Sequence, residues 1–186
     1  MYLCIEGGAP AAPLTEKPAV RLTVHTDYAL RMLMYLAVKG GGPATIAEVA
    51  SAYGISKAHL NKVAHRLGLT GYVKTVRGKG GGLRLARPAA EIGLGDVVRR
   101  LEPDMALVPC FGPVDAACPI VPACGLRGAL DEARQAFLAA LDRHTLADLV
   151  RRREALGALL GARQALHDGP NGHPSTASQE PDSGRT

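Results

Sequence analysis

No run of apolar residues in this sequence is long enough to cross a membrane, although hydrophobic residues make up 47% of its 186 residues. A membrane-spanning helix needs about 18 or more consecutive apolar residues. The first residues, MYLCIEGGAPAAPLTEKP, also lack the basic start and the long apolar core of a signal peptide. These two absences predict a cytoplasmic protein. In that reducing compartment, clustered cysteines are more often metal-binding or reactive than disulfide-bonded.

Motifs for enzyme chemistry are also absent. We find no pair of carboxylates, no nucleophile with a neighbouring base and no phosphate-binding loop in the sequence. The glycine-rich segment GKGGG at 78–82 lacks the spacing of a nucleotide-binding loop. The sequence therefore predicts a protein that is not an enzyme.

Acidic residues are missing from one long segment, since none occurs between Val49 and Ala90. Residues 20–102 hold 13 Lys and Arg against 5 Asp and Glu, whereas the rest of the chain holds 9 against 12. Lysines and arginines that neutralise phosphates supply most of the nonspecific affinity for nucleic acids. We therefore expect this segment to face a polyanion, and a solvated basic face is the alternative. The cations of the acid-free segment are Lys57, Lys62, Arg66, Lys74, Arg77, Lys79, Arg84 and Arg87.

Three helices are predicted in the first half of the chain. The first extends from about Thr26 to Val38. TIAE at 45–48 is a capping box that opens a second helix, and Gly54 closes it. Ser56 is a natural N-cap for the third helix, so the last two helices form a helix-turn-helix. The first helix is expected to turn Leu30, Leu33, Met34 and Ala37 inward, and the third to turn Leu60, Val63, Ala64 and Leu67 inward.

Two short strands are predicted to follow, YVKTV at 72–76 and LRLAR at 83–87, joined by a glycine-rich turn that permits positive φ. A hairpin in this position is a wing. The third helix is expected to enter the major groove of DNA, and the wing is expected to meet phosphates or the minor groove. The predicted DNA-binding residues are Lys57, His59, Asn61 and Lys62 on the helix and Arg77, Lys79 and Arg84 on the wing.

Beyond the wing, LGDVVRRLE at 94–102 predicts a short helix that Pro103 stops. An amphipathic stripe then predicts a long helix from about Leu126 to Val150. This helix can pack on its own domain or on a second copy, and the two-fold symmetry of DNA sites favours a homodimer. The stripe consists of Leu126, Leu130, Ala133, Phe137, Leu141 and Leu149.

Three of the four cysteines, Cys110, Cys118 and Cys124, lie in one proline-rich loop with the spacing C-x7-C-x5-C. Zinc sites usually contain a C-x2-C pair, and this spacing has none. Iron-sulfur clusters are held by thiolates, and an irregular spacing does not exclude them. We rank an iron-sulfur cluster first and zinc second, above a catalytic thiol or three buried inert cysteines. Cys4 is distant and is expected to be a bystander.

These elements predict a mainly α fold, a winged helix-turn-helix DNA-binding domain with a long dimerisation helix and a cysteine-containing cluster loop. Residues 1–19 are expected to form a disordered extension and 20–102 the DNA-binding domain. Residues 103–124, which we name the cysteine loop, are expected to hold the cluster. Residues 125–155 are expected to form the dimerisation helix, and 156–186 a mostly disordered tail.

Several segments together resemble the Rrf2 family of winged-helix iron-sulfur transcriptional regulators, and most closely its nitric-oxide-sensing repressors. They are LTVHTDYALRMLMYLA, YGISKAHLNKV, GYVKTVRGKGGGLRLARP, GDVVRRLEP, the cysteine loop and LDRHTLADLV. The resemblance covers residues 20 to about 150. It implies a homodimer that binds a palindromic operator in double-stranded DNA. It also implies a 4Fe-4S cluster, or alternatively a 2Fe-2S cluster, whose nitrosylation or loss releases the operator.

The resemblance further implies a fourth cluster ligand. Nitric-oxide-sensing members can use an aspartate near the start of the first helix of the other subunit, and the matching residue is Asp27. A favourable charge at a helix N-terminus is the alternative role for Asp27. Relatives that regulate iron-sulfur assembly use a histidine three residues after the third cysteine, where this chain has Arg127.

Two other functions remain open from the sequence. Iron-responsive members of the same family can share the C-x7-C-x5-C spacing, so the signal can be iron rather than nitric oxide. A function of another class is a small iron-sulfur electron-transfer protein whose basic face docks an acidic partner.

Overall fold

The computed structural model describes residues 21–40, 42–111 and 118–167. The predicted extension at 1–19, Cys4 and residues 168–186 of the predicted tail lie outside the described residues. Within the described ranges the chain forms seven α-helices and one two-stranded antiparallel sheet.

The first helix, α1, extends from Val24 to Lys39 and lies at the centre of the fold. The side-chain oxygen of Thr23 accepts a hydrogen bond from the amide of Thr26, and Gly40 ends the helix with φ 58°. Helices pack on several sides of α1, so its buried residues occupy more than the one predicted face. Leu33 is buried as predicted, Leu30, Met34 and Ala37 are only partly buried, and Ala29, Met32, Tyr35 and Leu36 are also buried.

The helix-turn-helix is formed by α2, Ile46–Tyr53, and α3, Lys57–Leu69. The capping box between Thr45 and Glu48 is present, because each side chain bonds the backbone of the other residue. Gly54 ends α2 in the left-handed conformation, and Ser56 caps α3 by accepting from the amide of His59. These local signals were all readable in the sequence, and the predicted motif is confirmed.

The wing is an antiparallel hairpin of β1, Val73–Val76, and β2, Gly82–Leu85. Ala44 adds a short bridge to its inner edge, with backbone bonds of 2.8 and 2.7 Å to Leu83. Gly82 has φ 156°, and a Cβ on it would lie 2.5 Å from the carbonyl oxygen of Ala44. Glycine is therefore required where the segment before α2 approaches the wing.

The helix α4, Leu94–Leu101, follows the wing and buries Leu94, Val97, Val98 and Leu101. The described part of the cysteine loop contains two short 3-10 turns, Pro109–Phe111 and Val121–Ala123. The predicted helix at 94–102 is confirmed within one residue.

The prediction of one long helix from Leu126 to Val150 is wrong. α5 extends from Gly125 to Asp142, and a separate short helix, α6, extends from Leu146 to Leu149. Between these two helices the backbone pairs with the segment that leads into α4. The amide of Leu94 donates to the carbonyl oxygen of His144 at 2.9 Å, and the amide of Leu146 donates to that of Ile92 at 2.8 Å. Thr145 then opens α6 with a second capping box.

The predicted tail at 156–186 is also wrong over its first residues, because α7 extends from Arg153 to His167. α7 packs on α1 and α2, and Leu160 contacts the core. Nε of Arg153 donates to the carbonyl oxygen of Val38 at 2.7 Å, which satisfies one acceptor at the end of α1. The ordered unit therefore extends beyond the predicted boundary at residue 155.

Candidate DNA-reading surface and metal ligands

The outward face of α3 carries the four side chains predicted to read DNA, Lys57, His59, Asn61 and Lys62, and all four are exposed. The helix presents them because Leu60, Val63 and Leu67 anchor its other face in the core. Within the described ranges, neither lysine has an acidic partner at salt-bridge distance. Both charges are therefore available to an anion.

Two side chains of α3 have further neighbours. The ring of His59 lies 6.1 Å from the ring of Tyr28 on α1. Asn61 and His65 line a groove of about 360 Å³ between α3 and the wing, which supplies Thr75 and Leu83. His65 was not among the residues predicted to contact DNA. Its position four residues after Asn61 was the available signal, because such residues share a helix face.

The wing exposes Arg77, Lys79 and Arg84. Its turn contains Gly78 and Gly80 with φ 97° and 78°, so the cations project from a backbone that glycine makes possible. Arg84 is paired directly with Lys74 across the two strands, and both side chains are exposed. Like charges in that position are destabilising unless an anion neutralises them. We call the exposed residues Lys57, His59, Asn61, Lys62, Arg77, Lys79 and Arg84 the reading surface.

Asp96 of α4 fixes the root of the wing, where Tyr72 precedes β1 and Arg87 follows β2. This role was not predicted from the sequence. Its carboxylate accepts from the hydroxyl of Tyr72 at 2.7 Å and from Nε of Arg100 at 2.8 Å. The guanidinium of Arg87 lies 4.9 Å from the centre of the Tyr72 ring. The hydrogen bond from Arg100, followed by that from Tyr72, holds the pKa of Asp96 below its ordinary value. Burial, assisted by Asp96, raises the pKa of Tyr72.

The three predicted cysteine ligands lie on turns and at a helix end. Cys110 is in the first 3-10 turn, Cys118 is exposed, and Cys124 directly precedes α5. None of the three forms a disulfide. Among the described residues, no group of three or more His, Cys, Asp or Glu side chains is close enough to hold a metal ion. The donor chemistry fits an iron-sulfur cluster, since all three thiols are free and none is fully buried.

Phe111 connects the cysteine loop to α5. Its ring centre lies 5.9 Å from the guanidinium carbon of Arg127 and 5.7 Å from that of Arg134. Asp131 holds Arg134 with a 2.6 Å ion pair. These residues and Cys124 line a cavity of about 820 Å³. Because Phe111 directly follows Cys110, these contacts hold Cys110 near α5, the helix that begins directly after Cys124.

Asp27, the predicted fourth ligand, lies in the first turn of α1, and its side chain is 45% exposed. Both of its carboxylate oxygens accept from Nε of Arg31 at 3.0 Å. The described part of one chain does not bring Asp27 into a metal-binding group with the cysteines. The carboxylate instead faces outward from the fold.

No helix in the described ranges is long and apolar enough to span a bilayer.

Comparison with known proteins gives concordant matches. The Rrf2 family, described as an iron-dependent transcriptional regulator, matches residues 22–152. The HTH-type transcriptional regulator NsrR of Bacillus subtilis (strain 168) is 46% identical over 146 residues, which cover 78% of this chain and 100% of that protein. NsrR of Geobacillus kaustophilus (strain HTA426) is 45% identical over 146 residues, which cover 78% of this chain and 99% of that protein.

The fold is shared with solved regulators. The structure of CymR, the global cysteine regulator of B. subtilis, matches with a TM-score of 0.59 at 28% identity, over 72% of this chain and 98% of that one. The predicted mainly α winged helix-turn-helix fold is confirmed. The sequence relatives are named as transcriptional regulators, in agreement with the prediction of a protein that is not an enzyme.

Proposed function

This chain belongs to the Rrf2 family of transcriptional regulators, and from that premise we propose that it is a DNA-binding repressor of the NsrR type. In this proposal it acts as a homodimer, holds an iron-sulfur cluster on its cysteine loop, and loses operator affinity when nitric oxide reaches the cluster. One observation carries the proposal. A cationic reading surface and three free thiols on one loop occur in the same chain.

The reading surface suits duplex DNA because its two parts have different chemistry. The amide of Asn61 can both donate to and accept from a base edge, so α3 is suited to read sequence in the major groove. Arg77 and Lys79 project from a glycine-rich turn, so the wing is suited to phosphates and to the minor groove. The facing cations Lys74 and Arg84 add a further site for polyanion attraction.

A second copy of the chain is proposed to cover α5. None of the 18 residues of this helix is buried in the single chain. Leu126 is 66% exposed and Phe137 is 43% exposed. Apolar side chains that recur along one helix face are stabilised when a partner helix covers them. A homodimer also matches a palindromic operator, because each half-site then meets an equivalent reading surface.

The proposed cluster ligands are Cys110, Cys118, Cys124 and Asp27 of the partner subunit. When bound, an iron-sulfur cluster supplies iron that reacts with nitric oxide. The three thiolates would hold the cluster, and a carboxylate would be a weaker and more exchangeable fourth ligand. The outward-facing Asp27 is suited to reach another chain. Arg31 competes for its carboxylate, because the two side chains already form an ion pair.

An iron-responsive function is the second candidate, and the family description favours it because it names an iron-dependent regulator. The same cysteines and the same reading surface would serve that function. The two candidates differ only in the signal. A small electron-transfer protein is the candidate of another class, and it requires no selective DNA affinity.

The deciding experiment compares two titrations of anaerobically purified full-length protein on one duplex. The duplex is selected from random sequences by its affinity for the coloured protein. Nitric oxide is added to one series and an iron chelator to the other, and bound DNA is measured by fluorescence anisotropy. We expect stoichiometric nitric oxide to release the duplex before modest chelation does.

Release by modest chelation, without an effect of nitric oxide, would favour the iron-responsive regulator. Failure to select any duplex above background would favour the electron-transfer protein. A colourless protein with stoichiometric zinc would contradict the iron-sulfur proposal itself.

A further inference from the structure

The end of α4 and the start of α1 are joined by one carboxylate. Oε1 of Glu102 accepts from the backbone amide of Thr23 at 2.9 Å and from its hydroxyl at 3.1 Å. The two residues are 79 positions apart in the chain, and the contact is partly buried. Two hydrogen bonds to one charged oxygen form a stronger link than neutral bonds of the same length.

Local structure explains why Glu102 is available for this contact. Its amide still donates to Val98 at 2.9 Å, so its backbone is fixed at the end of α4. The next residue is Pro103, which disfavours helical geometry at Glu102 and places it in the extended region with ψ 131°. The carboxylate therefore lies against the N-terminus of α1, where the helix dipole favours a negative charge.

From Thr23 the contact continues into the first turn of α1 through two hydrogen bonds, one of which reaches Asp27. The carbonyl oxygen of Thr23 accepts from the amide of Asp27 at 3.0 Å, and its side-chain oxygen accepts from the amide of Thr26 at 3.2 Å. The position of Thr23 thus sets the first turn of α1. On its other side, Glu102 begins the segment that reaches Cys110 eight residues later.

We infer that Glu102 is a positioning residue that fixes the first turn of α1, and with it Asp27, relative to the entry of the cysteine loop. Its effect on a cluster rests on the function proposed above. In that homodimer, Asp27 of each chain serves the partner's cluster while Glu102 holds the entry of its own loop. The contact then couples the two cluster sites, because a displacement of one loop reaches the carboxylate that serves the other.

The first test needs no cluster. Hydrogen–deuterium exchange is measured by mass spectrometry on the full-length protein without metal, for Glu102→Ala, Glu102→Gln and the control Glu91→Gln. Glu91→Gln removes the same charge as Glu102→Gln, and Glu91 is exposed. We expect about tenfold faster exchange in the first turn of α1 for Glu102→Ala, and unchanged exchange in α3. Glu102→Gln should have a smaller effect, because its amide oxygen still accepts a hydrogen bond.

The second test asks whether Glu102 acts through Asp27. Cluster loss from anaerobic, loaded protein is followed by absorbance in the presence of chelator. Glu102→Ala and Asp27→Ala should each accelerate the loss several-fold, and the double variant should lose its cluster no faster than Asp27→Ala alone. Glu91→Gln should lose its cluster at the wild-type rate.

Different results would overturn this inference and the proposed function. Unchanged exchange in the first turn of α1 overturns the inference, as do multiplicative effects in the double variant. If Glu102→Ala does not fold, as judged by circular dichroism, Glu102→Gln decides the exchange test by the presence or absence of faster exchange. A wild type that binds no cluster overturns the proposed function, whereas the exchange test still decides the role of Glu102 in positioning α1.

Discussion

The reading surface and the cysteine loop belong to the same chain but depend on different parts of it. The side chains of the reading surface stand on α3 and the wing, whose ends are fixed by Ser56, by left-handed glycines and by Asp96. Cys110 stands on a 3-10 turn, Cys118 is exposed outside both 3-10 turns, and Cys124 directly precedes α5, which has no buried residue. The first region is held in place by the core of the single chain, and the second presents free thiols and a helix that contacts α4 but buries none of its residues.

This difference shows which sites a chain can build alone. A DNA-reading surface requires exposed side chains on a rigid scaffold, and the core of one chain supplies that scaffold. A metal site requires ligands to converge on an ion, and binding of that ion contributes to the folding of the site. The three thiols are therefore expected to converge when the cluster and a second copy are bound, whereas the reading surface is preformed.

The largest expected effect concerns the thiols. Replacing Cys110, Cys118 or Cys124 with Ala should abolish the visible chromophore of anaerobically purified protein, because each is proposed to hold one cluster iron. Cys4→Ala is the control and should keep the colour. Absorbance together with iron and sulfide analysis measures the outcome. A variant that retains full colour would remove that cysteine from the ligand set.

The next effect tests sequence reading by α3. Asn61→Ala should weaken binding to the selected duplex by about 1–3 kcal/mol and should leave binding to random duplexes nearly unchanged. The reason is that an amide recognises base edges rather than phosphates. Anisotropy titrations on both duplexes measure the two affinities. An equal loss on both would assign Asn61 to the backbone instead.

A smaller and less selective effect is expected for the wing. Arg77→Ala or Lys79→Ala should weaken binding to every duplex and reduce the slope of log affinity against log salt by about one. Arg143, an exposed arginine at the end of α5, provides the control Arg143→Ala. If the wing variants kept the wild-type slope, the wing would not be a DNA-contacting element.

The smallest effect concerns Asp96 at the root of the wing. Its pKa is lowered, so the stability it contributes is present above its ordinary pKa of about 3.9 and is lost as the pH falls through the lowered value. Asp96→Asn should therefore flatten the acid side of the stability profile. At neutral pH it should cost less than about 1 kcal/mol, because the side chain is 45% exposed. Urea unfolding at a series of pH values measures both effects.

The parts of the fold that follow local rules were predictable. Thr45, Gly54 and Ser56 marked the ends of α2 and α3, and the glycines at 78–82 marked the turn of the wing. The end of α5 was not predicted, because the backbone of His144 and Leu146 pairs with residues about 50 positions earlier in the chain instead of continuing the helix. Helix periodicity in the sequence does not indicate such long-range pairing. α7 was missed because its stability comes from packing on α1 and α2.

The candidate site was predictable to a different degree. The exposed face of α3 followed from the spacing of Leu60, Val63 and Leu67 on its other side, as helix periodicity requires. The roles of Glu102 and Asp96 could not be read from the sequence, because both depend on contacts with residues distant in the chain. The clustering of the three cysteines in one loop was visible in the sequence, but their convergence on one cluster stays a prediction.

The most direct test of this account is the affinity of the full-length protein for its selected duplex with and without the cluster. Both forms are prepared anaerobically from one batch, at equal protein and salt concentrations, and Cys118→Ala serves as the cluster-free control. We predict that the cluster-containing protein binds at least about tenfold more tightly, and that Cys118→Ala matches the cluster-free form. Equal affinity in all three samples would contradict the proposal that the cluster controls the affinity for DNA.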